Sequence, residues 1–190
     1  MKKIFLLAFI MLSACVGTTP DSKFYTLSSI TSAPQTYKSV NLIIGVGEVS
    51  VPQYLDRAQM VVRDSNQVEL SVSELHRWSE PLGDAMQLAL ADDLAKYLPN
   101  ALIKPTSLRQ ENFDYLLWVE VNRFDGIWNK TADLSVWWSV YNKNSKVVLR
   151  EKTDLQLSLG NSYDDLVQKD SELINLLAKQ IAVKIANLKK

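Results

Sequence analysis

An alternation of apolar and polar side chains between Tyr115 and Leu159 constrains the fold of this chain more than any other feature of the sequence. It covers three segments, residues 115–124, 132–141 and 147–159, and the polar residues 142–145 join the last two. A period of two residues is typical of strands that bury one face and leave the other in water. We therefore expect an antiparallel meander whose inward side chains are Leu117, Val119, Val121, Leu134, Val136, Trp138, Val140, Val147, Leu149, Leu155 and Leu157.

Two amphipathic segments predict helices. The first follows Ser79, which we expect to be its N-cap, carries Pro81 in its first turn and ends at Leu98, before Pro99. The second begins near Ser162 and runs to the C-terminal lysines, residues 189–190. Its apolar stripe needs a sheet to lie on and comprises Val167, Ile174, Leu177, Ile181, Ile185 and Leu188.

Further strands are predicted in the first half of the chain. Residues 24–27, 41–51 and 101–104 have strand composition, and residues 59–63 and 67–72 form a hairpin around the turn 64–66. Gly45 and Gly47 do not fit a nucleotide-binding loop, because Ser50 and Pro52 follow instead of a third glycine and a helix. We expect the glycines to mark a bulge or a close backbone approach. Together these elements predict a single α+β domain: a mostly antiparallel sheet, with a mixed sheet as the open alternative, and two long helices packed on one side.

The amino-terminal residues predict secretion. Lys2 and Lys3 precede the apolar residues 4–12, a run shorter than the roughly 20 residues that span a bilayer, as in a signal peptide. The segment Leu-Ser-Ala-Cys at 12–15 resembles the lipobox of bacterial lipoproteins. That resemblance implies cleavage after residue 14, a diacylglyceryl group on Cys15 and acylation of the new amino terminus. A plain secretory signal with an incidental thiol is the alternative.

The lipobox resemblance also implies domain limits and a location. Residues 1–14 would be the lipoprotein signal peptide, 15–23 a lipidated tether and 24–190 the folded domain. Val16, rather than Asp, follows the cysteine, which implies sorting to the outer membrane, with the domain lipid-anchored on the periplasmic face.

Charge and composition exclude several function classes. Basic and acidic residues number 21 each, and removal of Lys2 and Lys3 leaves 19 against 21, a mature net charge of about −2 that gives no reason to expect nucleic acid as a partner. The single cysteine allows no disulfide, and His76 as the only histidine allows no histidine-based triad or two-histidine metal site within the chain. The carboxylate pairs 92–93 and 164–165 are adjacent, so on helices they diverge by about 100°. We expect them to be solvated charges or helix-end charges, not acid–base catalysts.

Aromatic residues on the polar strand faces are candidates for an interface. Trp118, Trp137 and Tyr141 lie opposite the predicted core face, and Trp128 lies in the loop between the strands. We favour the interpretation that a helix or loop covers this face as core. The alternative is an exposed partner or subunit interface, since Trp and Tyr are enriched at such surfaces, and the solvent accessibility of Trp137 distinguishes the two.

Residues 52–57 form the second candidate surface. Pro52, Tyr54, Asp56 and Arg57 could shape a partner-facing loop. The interpretation that we favour slightly is that Asp56 and Arg57 pair locally to fix a turn.

Several of these segments together resemble one protein family. Residues 45–57 (Gly-Val-Gly-Glu-Val-Ser-Val-Pro-Gln-Tyr-Leu-Asp-Arg), 59–63 and 77–82 (Arg-Trp-Ser-Glu-Pro-Leu), with 24–27 as an opening strand, are similar to the ABC-type transport auxiliary lipoprotein family in its PqiC-like branch. The resemblance implies a non-enzymatic outer-membrane lipoprotein of an MCE-type (mammalian-cell-entry) intermembrane lipid transport system. It would dock to the periplasmic MCE protein, as a homo-oligomeric ring, with no cofactor beyond the covalent lipid on Cys15.

Two other functions remain as alternatives at this point. A lipoprotein with the same anchor could regulate a periplasmic enzyme such as a peptidoglycan synthase. A hydrolase would need a nucleophile and a base, and the sequence offers no such pair.

Overall fold

The computed structural model describes residues 20–29, 31–37, 41–107 and 112–188. The predicted signal peptide, Cys15 and the last two lysines lie outside the described residues. The described residues form eight strands and two helices: β1 Lys23–Tyr25, β2 Ile43–Ser50, β3 Gln59–Arg63, β4 Leu70–Trp78, α1 Leu82–Tyr97, β5 Leu102–Pro105, β6 Tyr115–Ile127, β7 Thr131–Asn142, β8 Val147–Ser158 and α2 Tyr163–Ala186.

The 13-residue strand β6 is the centre of the sheet. Along one edge it pairs with β7 over its whole length, and β8 pairs with β7 in turn, both antiparallel. The other edge is shared, because β2 pairs with its first half and β3 with its last two residues, both parallel. Strand β5 extends the sheet beyond β2, and β4 with β1 extends it beyond β3.

The α+β single-domain prediction is confirmed, and the sheet is mixed, which is the alternative that the sequence left open. The meander of β6, β7 and β8 and the hairpin of β3 and β4 are antiparallel. Strands β1, β2 and β5 join by parallel pairing, since each is separated from its neighbour by long intervening chain.

Both helices pack against each other and against one side of the sheet, which we call the inner face. Helix α1 contacts β2 and β5, and α2 contacts β7 and β8. Alternate residues of the long strands point into this layer, so that Leu117, Val136 and Trp138 are at most 1% exposed. Neither helix in the described part of the chain is long and apolar enough to cross a membrane.

The two helix starts differ in how their free N–H groups are capped. Ser162 is the N-cap of α2 as predicted, and its hydroxyl accepts a hydrogen bond from Asp165 N at 3.1 Å. The N-cap of α1 is Pro81, with no side-chain cap, so the prediction for Ser79 was wrong. Ser79 N instead donates to the Tyr25 carbonyl at 2.8 Å, which ties it to the opening strand.

Two strand details also differ from the expectation. Strand β4 continues to Trp78, past the predicted end at residue 72, because an irregularity between the Gln59 and Val61 pairs absorbs the extra residues of β4. A second register shift, next to Tyr141, turns Val147 away from the core. Val147 is 44% exposed, so its inward assignment was wrong.

Candidate functional site

The side of the sheet away from the helices, which we call the outer face, carries the candidate aromatic residues. Trp137 and Trp138 are neighbours on β7 and point to opposite faces. Trp138 is 1% exposed, and its Nε1 donates to Thr153 Oγ1 at 3.0 Å, whereas Trp137 is 37% exposed. Since both helices occupy the inner face, the favoured interpretation that a helix or loop covers this face was wrong for Trp137.

The strand register brings three of the predicted aromatics together. Trp118 on β6 pairs with Ser139 on β7, and the next pair on the same face, two residues along, is Glu120 with Trp137. Tyr141 lies two residues beyond Ser139 on the same face of β7. We call Trp118, Trp137 and Tyr141 the aromatic patch. The Arg150 guanidinium of β8 lies 5.3 Å from the Trp137 ring centroid, a cation–π contact that places a positive charge within the patch.

Glycines of β2 allow large side chains to lie flat on the outer face next to this patch. A Cβ added to Gly47 would come within 3.2 Å of the Trp118 indole, and one added to Gly45 would come within 2.8 Å of the Phe113 ring. The added Cβ on Gly47 would also lie 3.1 Å from the Leu117 carbonyl oxygen, and the register of β2 against β6 shifts between Val46 and Val49. The prediction that the glycines mark a bulge or a close backbone approach is therefore confirmed at Gly47. Phe113 was missed by the sequence interpretation, because the loop before β6 has no periodicity that would orient it.

The candidate loop that begins at Pro52 is closed by backbone hydrogen bonds. The Pro52 carbonyl accepts from Leu55 N at 2.8 Å and Asp56 N at 3.2 Å. Asp56 and Arg57 are exposed, and within the described residues they form no ion pair with each other. The expected local pair was therefore wrong, and the main chain fixes this turn.

Tyr54 belongs to a network of charged residues centred on Asp125 of β6. Its hydroxyl donates to Asp125 Oδ2 at 3.0 Å, while Arg63 Nη2 lies 2.7 Å from the same oxygen. Arg123 bridges Asp125 and Asp133, with Nε and Nη2 each 2.9 Å from a carboxylate oxygen. We call these five side chains the Asp125 network.

Electrostatics show what the Asp125 network can do. Burial, and then the negative charge of Asp125, raises the pKa of Tyr54 to about 12. The hydrogen bonds of the Asp125 carboxylate raise the pKa of Arg63 further above its ordinary value. Tyr54 and Arg63 therefore keep their protons at neutral pH, and their contacts with Asp125 are suited to fixing the loop of Tyr54 to the sheet.

Trp128 lies apart from the aromatic patch. Its ring meets Tyr163, the first residue of α2, edge-on at a centroid distance of 5.0 Å. Tyr163 in turn stacks on His76 at 4.0 Å, and His76 Nδ1 is 3.1 Å from Ser73 Oγ. The single histidine is thus held in an aromatic stack.

The adjacent carboxylates diverge, as predicted. Asp164 Oδ1 accepts from the Tyr25 hydroxyl at 2.9 Å, and Asp165 Oδ2 accepts from Gly160 N at 2.6 Å. Asp92 is exposed, whereas Asp93 is fully buried and accepts from Asn175 Nδ2 at 3.2 Å, so the prediction of a solvated charge was wrong for Asp93. In the described part of the chain, no group of three metal-ligating residues comes together.

Asp170 is a buried acid that the sequence interpretation missed. It lies on the inner side of α2 at 2% exposure, and no hydrogen-bond partner among the described residues reaches its Oδ1. Burial, with a smaller contribution from the charge of Asp125, raises its pKa well above the ordinary value. Its spacing from Leu166, Leu173 and Ile174 places it in the apolar stripe, which is the signal that could have identified it.

These observations define a class of protein: a single α+β domain with a partly exposed aromatic sheet face, whose described residues bring together no group of three metal-ligating side chains. A family model described as the ABC-type transport auxiliary lipoprotein component matches residues 25–182. The chain belongs to this family.

Two solved structures share the fold. A crystal structure of an uncharacterized protein is similar with a TM-score of 0.74 and 21% identity, over 87% of this chain and 99% of that chain. A protein from Xanthomonas campestris, of the DUF330 family model, is similar with a TM-score of 0.70 and 14% identity, over 84% and 92%. The PelC dodecamer from Paraburkholderia phytofirmans has a TM-score of 0.46 and 15% identity, over 80% and 93%. No curated protein matches the chain.

Proposed function

We propose that this chain is a non-enzymatic, lipid-anchored docking component of an MCE-type intermembrane lipid transport system. It would be held at the periplasmic face of the outer membrane through Cys15 and would bind the periplasmic MCE protein, as a homo-oligomeric ring. Membership of a transport auxiliary lipoprotein family supports an auxiliary role next to a transporter. The regulation of a peptidoglycan synthase is kept as an outcome of the test.

The observation that carries the proposal is the aromatic patch on the outer face. Trp137 is 37% exposed although it is one residue from the core tryptophan. Trp, Tyr and Arg are the residues most enriched at the energetic centres of protein interfaces, and Arg150 lies over the Trp137 ring. A partly exposed cluster of these residue types, in which Trp118 and Tyr141 are half-buried, supports a binding surface more than a catalytic one.

The proposed lipid anchor is tested by replacing Cys15, whose sulfur atom would carry the diacylglyceryl group. We expect Cys15→Ala to move the protein from the membrane fraction to the soluble periplasmic fraction, because two or more acyl chains are needed for stable membrane attachment. Cys15→Ser gives the same loss, and mass spectrometry of the wild-type amino terminus detects the acyl groups directly. An unmodified thiol in mature wild-type protein would overturn the lipid-anchored part of the proposal.

The partner is tested by affinity purification of wild-type protein from detergent-solubilised envelopes. We expect a protein with MCE domains to copurify. Copurification of a peptidoglycan synthase in its place would favour the regulatory function, and a clean preparation with neither protein would contradict both.

A further inference from the structure

A side-chain-sized pocket opens on the outer face beside the aromatic patch. Its walls are the side chains of Phe113, Leu116, Trp118 and Tyr141, and its volume is about 80 Å³. The turn between β7 and β8 closes one end with Asn142, Lys143 and Ser145. The turn residues make more than half of its accessible lining polar, and we call this cavity the apolar pocket after its four hydrophobic wall residues.

The walls of the apolar pocket are held in place without a ligand. Phe113 is 5% exposed and lies on Gly45, where an added Cβ would be 2.8 Å from the ring. The Leu116 side chain meets the same glycine, with its Cδ1 2.9 Å from that Cβ position. A site built on strand backbone and packed rings loses little conformational freedom when it is occupied.

The volume of the pocket limits what can enter it. An apolar cavity of about 150 Å³ is large enough to hold benzene. The apolar pocket is about half that size, so it suits one aliphatic side chain and is too small for a whole fatty acyl chain. A second cavity of about 430 Å³ lies across Asn142 and Lys143 and is lined partly by Leu42 and Val148. This second cavity leaves room for the residues of a bound segment on either side of the side chain that enters the apolar pocket.

One lysine lines the apolar pocket, and two more lie on neighbouring parts of the sheet edge and turn. Lys143 lines both cavities, and Lys146 lies in the same turn. Lys104 of β5 pairs with Gly45 and therefore points to the outer face beside Phe113. Within the described residues, none of these three lysines forms an ion pair. The neighbouring carboxylate, Asp114, accepts a hydrogen bond from Ile43 N at 2.9 Å.

We propose that the apolar pocket binds a partner peptide segment that inserts one aliphatic side chain and places carboxylates against Lys104, Lys143 and Lys146. An apolar anchor in a preformed pocket supplies affinity, and complementary charge around it supplies orientation and association rate. The inference rests on the proposed function in that it assigns the surface by which a docking component would hold its partner.

The test is a selection of random heptapeptides displayed on phage against the immobilised full-length protein. The wild type is compared with the triple variant Lys104→Glu, Lys143→Glu, Lys146→Glu. A control variant with the same change of charge, Lys23→Glu, Lys130→Glu, Lys179→Glu, lies elsewhere on the fold. We expect peptides that combine an aliphatic residue with Asp or Glu to be enriched at least tenfold on the wild type and the control, and not on the pocket variant. Thermal unfolding of all three proteins verifies that they fold.

The role of the inserted aliphatic side chain is tested with a synthetic copy of an enriched peptide. Replacement of its aliphatic residue by glycine should weaken binding at least tenfold. Equal enrichment on the pocket variant, enrichment of basic peptides or no enrichment on the wild type would overturn the inference. Binding of lysophosphatidylglycerol micelles that depends on the same lysines, with no peptide enriched, would overturn it in favour of a lipid.

The two proposals fail separately in these experiments. A protein that copurifies with an MCE partner but enriches no acidic peptide loses only this inference. A protein that enriches such peptides but copurifies with no MCE protein loses only the proposed transport role.

Discussion

Asp170 shows at the scale of one residue how a buried acid makes stability depend on pH. Its carboxyl is 2% exposed, and burial raises its pKa well above the ordinary value of about 3.9. Above pH 4 the unfolded chain releases the proton while the folded protein retains it, so rising pH favours unfolding until the folded pKa is passed. The loss has a limiting slope of about 1.4 kcal/mol per pH unit.

We therefore expect Asp170→Asn to stabilise the protein relative to the wild type, by an amount that grows as pH rises above about 4 until the pKa of the folded-state carboxyl is passed. The amide cannot ionise, so it removes the penalty without a large change of shape. Urea unfolding at four pH values measures the difference in free energy, and Asp92→Asn at an exposed position of α1 is the control. A difference that stays constant with pH would contradict the assignment of Asp170.

Replacement of Asp125 should lower the stability of the fold, in contrast to replacement of Asp170, because the charge of Asp125 is compensated by its partners. Two arginines and the Tyr54 hydroxyl surround the carboxylate, with Arg63 Nη2 at 2.7 Å. We expect Asp125→Ala to destabilise the fold by roughly 3–5 kcal/mol, since it leaves the partly buried Arg63 guanidinium without its carboxylate and Arg123 with Asp133 alone. Asp154→Ala breaks a surface ion pair with Lys152, in which the Asp154 side chain is 62% exposed. It should lower the free energy of unfolding by less than about 1 kcal/mol. Chemical denaturation of both variants provides the comparison, and equal losses would contradict it.

At the scale of elements, the start of α1 is fixed by its approach to β2. A Cβ added to Gly83 in the first turn would lie 2.6 Å from the Val49 carbonyl oxygen, and backbone cannot move aside as a flexible side chain can. Alanine is favoured over glycine in helices by about 1 kcal/mol. We nevertheless expect Gly83→Ala to destabilise the protein by about 1–3 kcal/mol, because the contact outweighs the propensity.

Urea unfolding measures the effect of Gly83→Ala, with Asp92→Ala as the control on the exposed side of the same helix. The control should lie within about 0.5 kcal/mol of the wild type, as surface substitutions usually do. A stabilising Gly83→Ala would show that the helix start is not in contact with β2.

Elements with a strong local pattern could be predicted from the sequence, and their surroundings could not. The meander and both helices follow from periods of 2 and 3.6 residues, which are properties of each segment alone. Whether a helix covers Trp137 depends on which side of the sheet α1 and α2 take, and the strand pattern is the same in both cases. The shift that exposes Val147 and the packing of Phe113 on Gly45 arise from pairing between segments, which no single segment encodes.

At the scale of the whole molecule, the two sheet faces have separate tasks. The inner face packs with both helices into one core. The outer face carries the aromatic patch, whose exposed area contributes little to the stability of the fold. We expect Trp137→Ala to lower the free energy of unfolding by less than about 2 kcal/mol, the sum of cross-strand and cation–π contributions. It should reduce copurification of the proposed MCE partner at least tenfold, as expected of an interface hot spot.

Trp128→Ala is the matched control, because Trp128 is also partly exposed but packs against Tyr163 away from the patch. It should leave the amount of copurified partner unchanged at equal folded concentration, which thermal unfolding establishes for both variants. Loss of the partner with Trp128→Ala and retention with Trp137→Ala would place the docking surface at the start of α2. The division of tasks between the faces therefore depends on which tryptophan the partner requires.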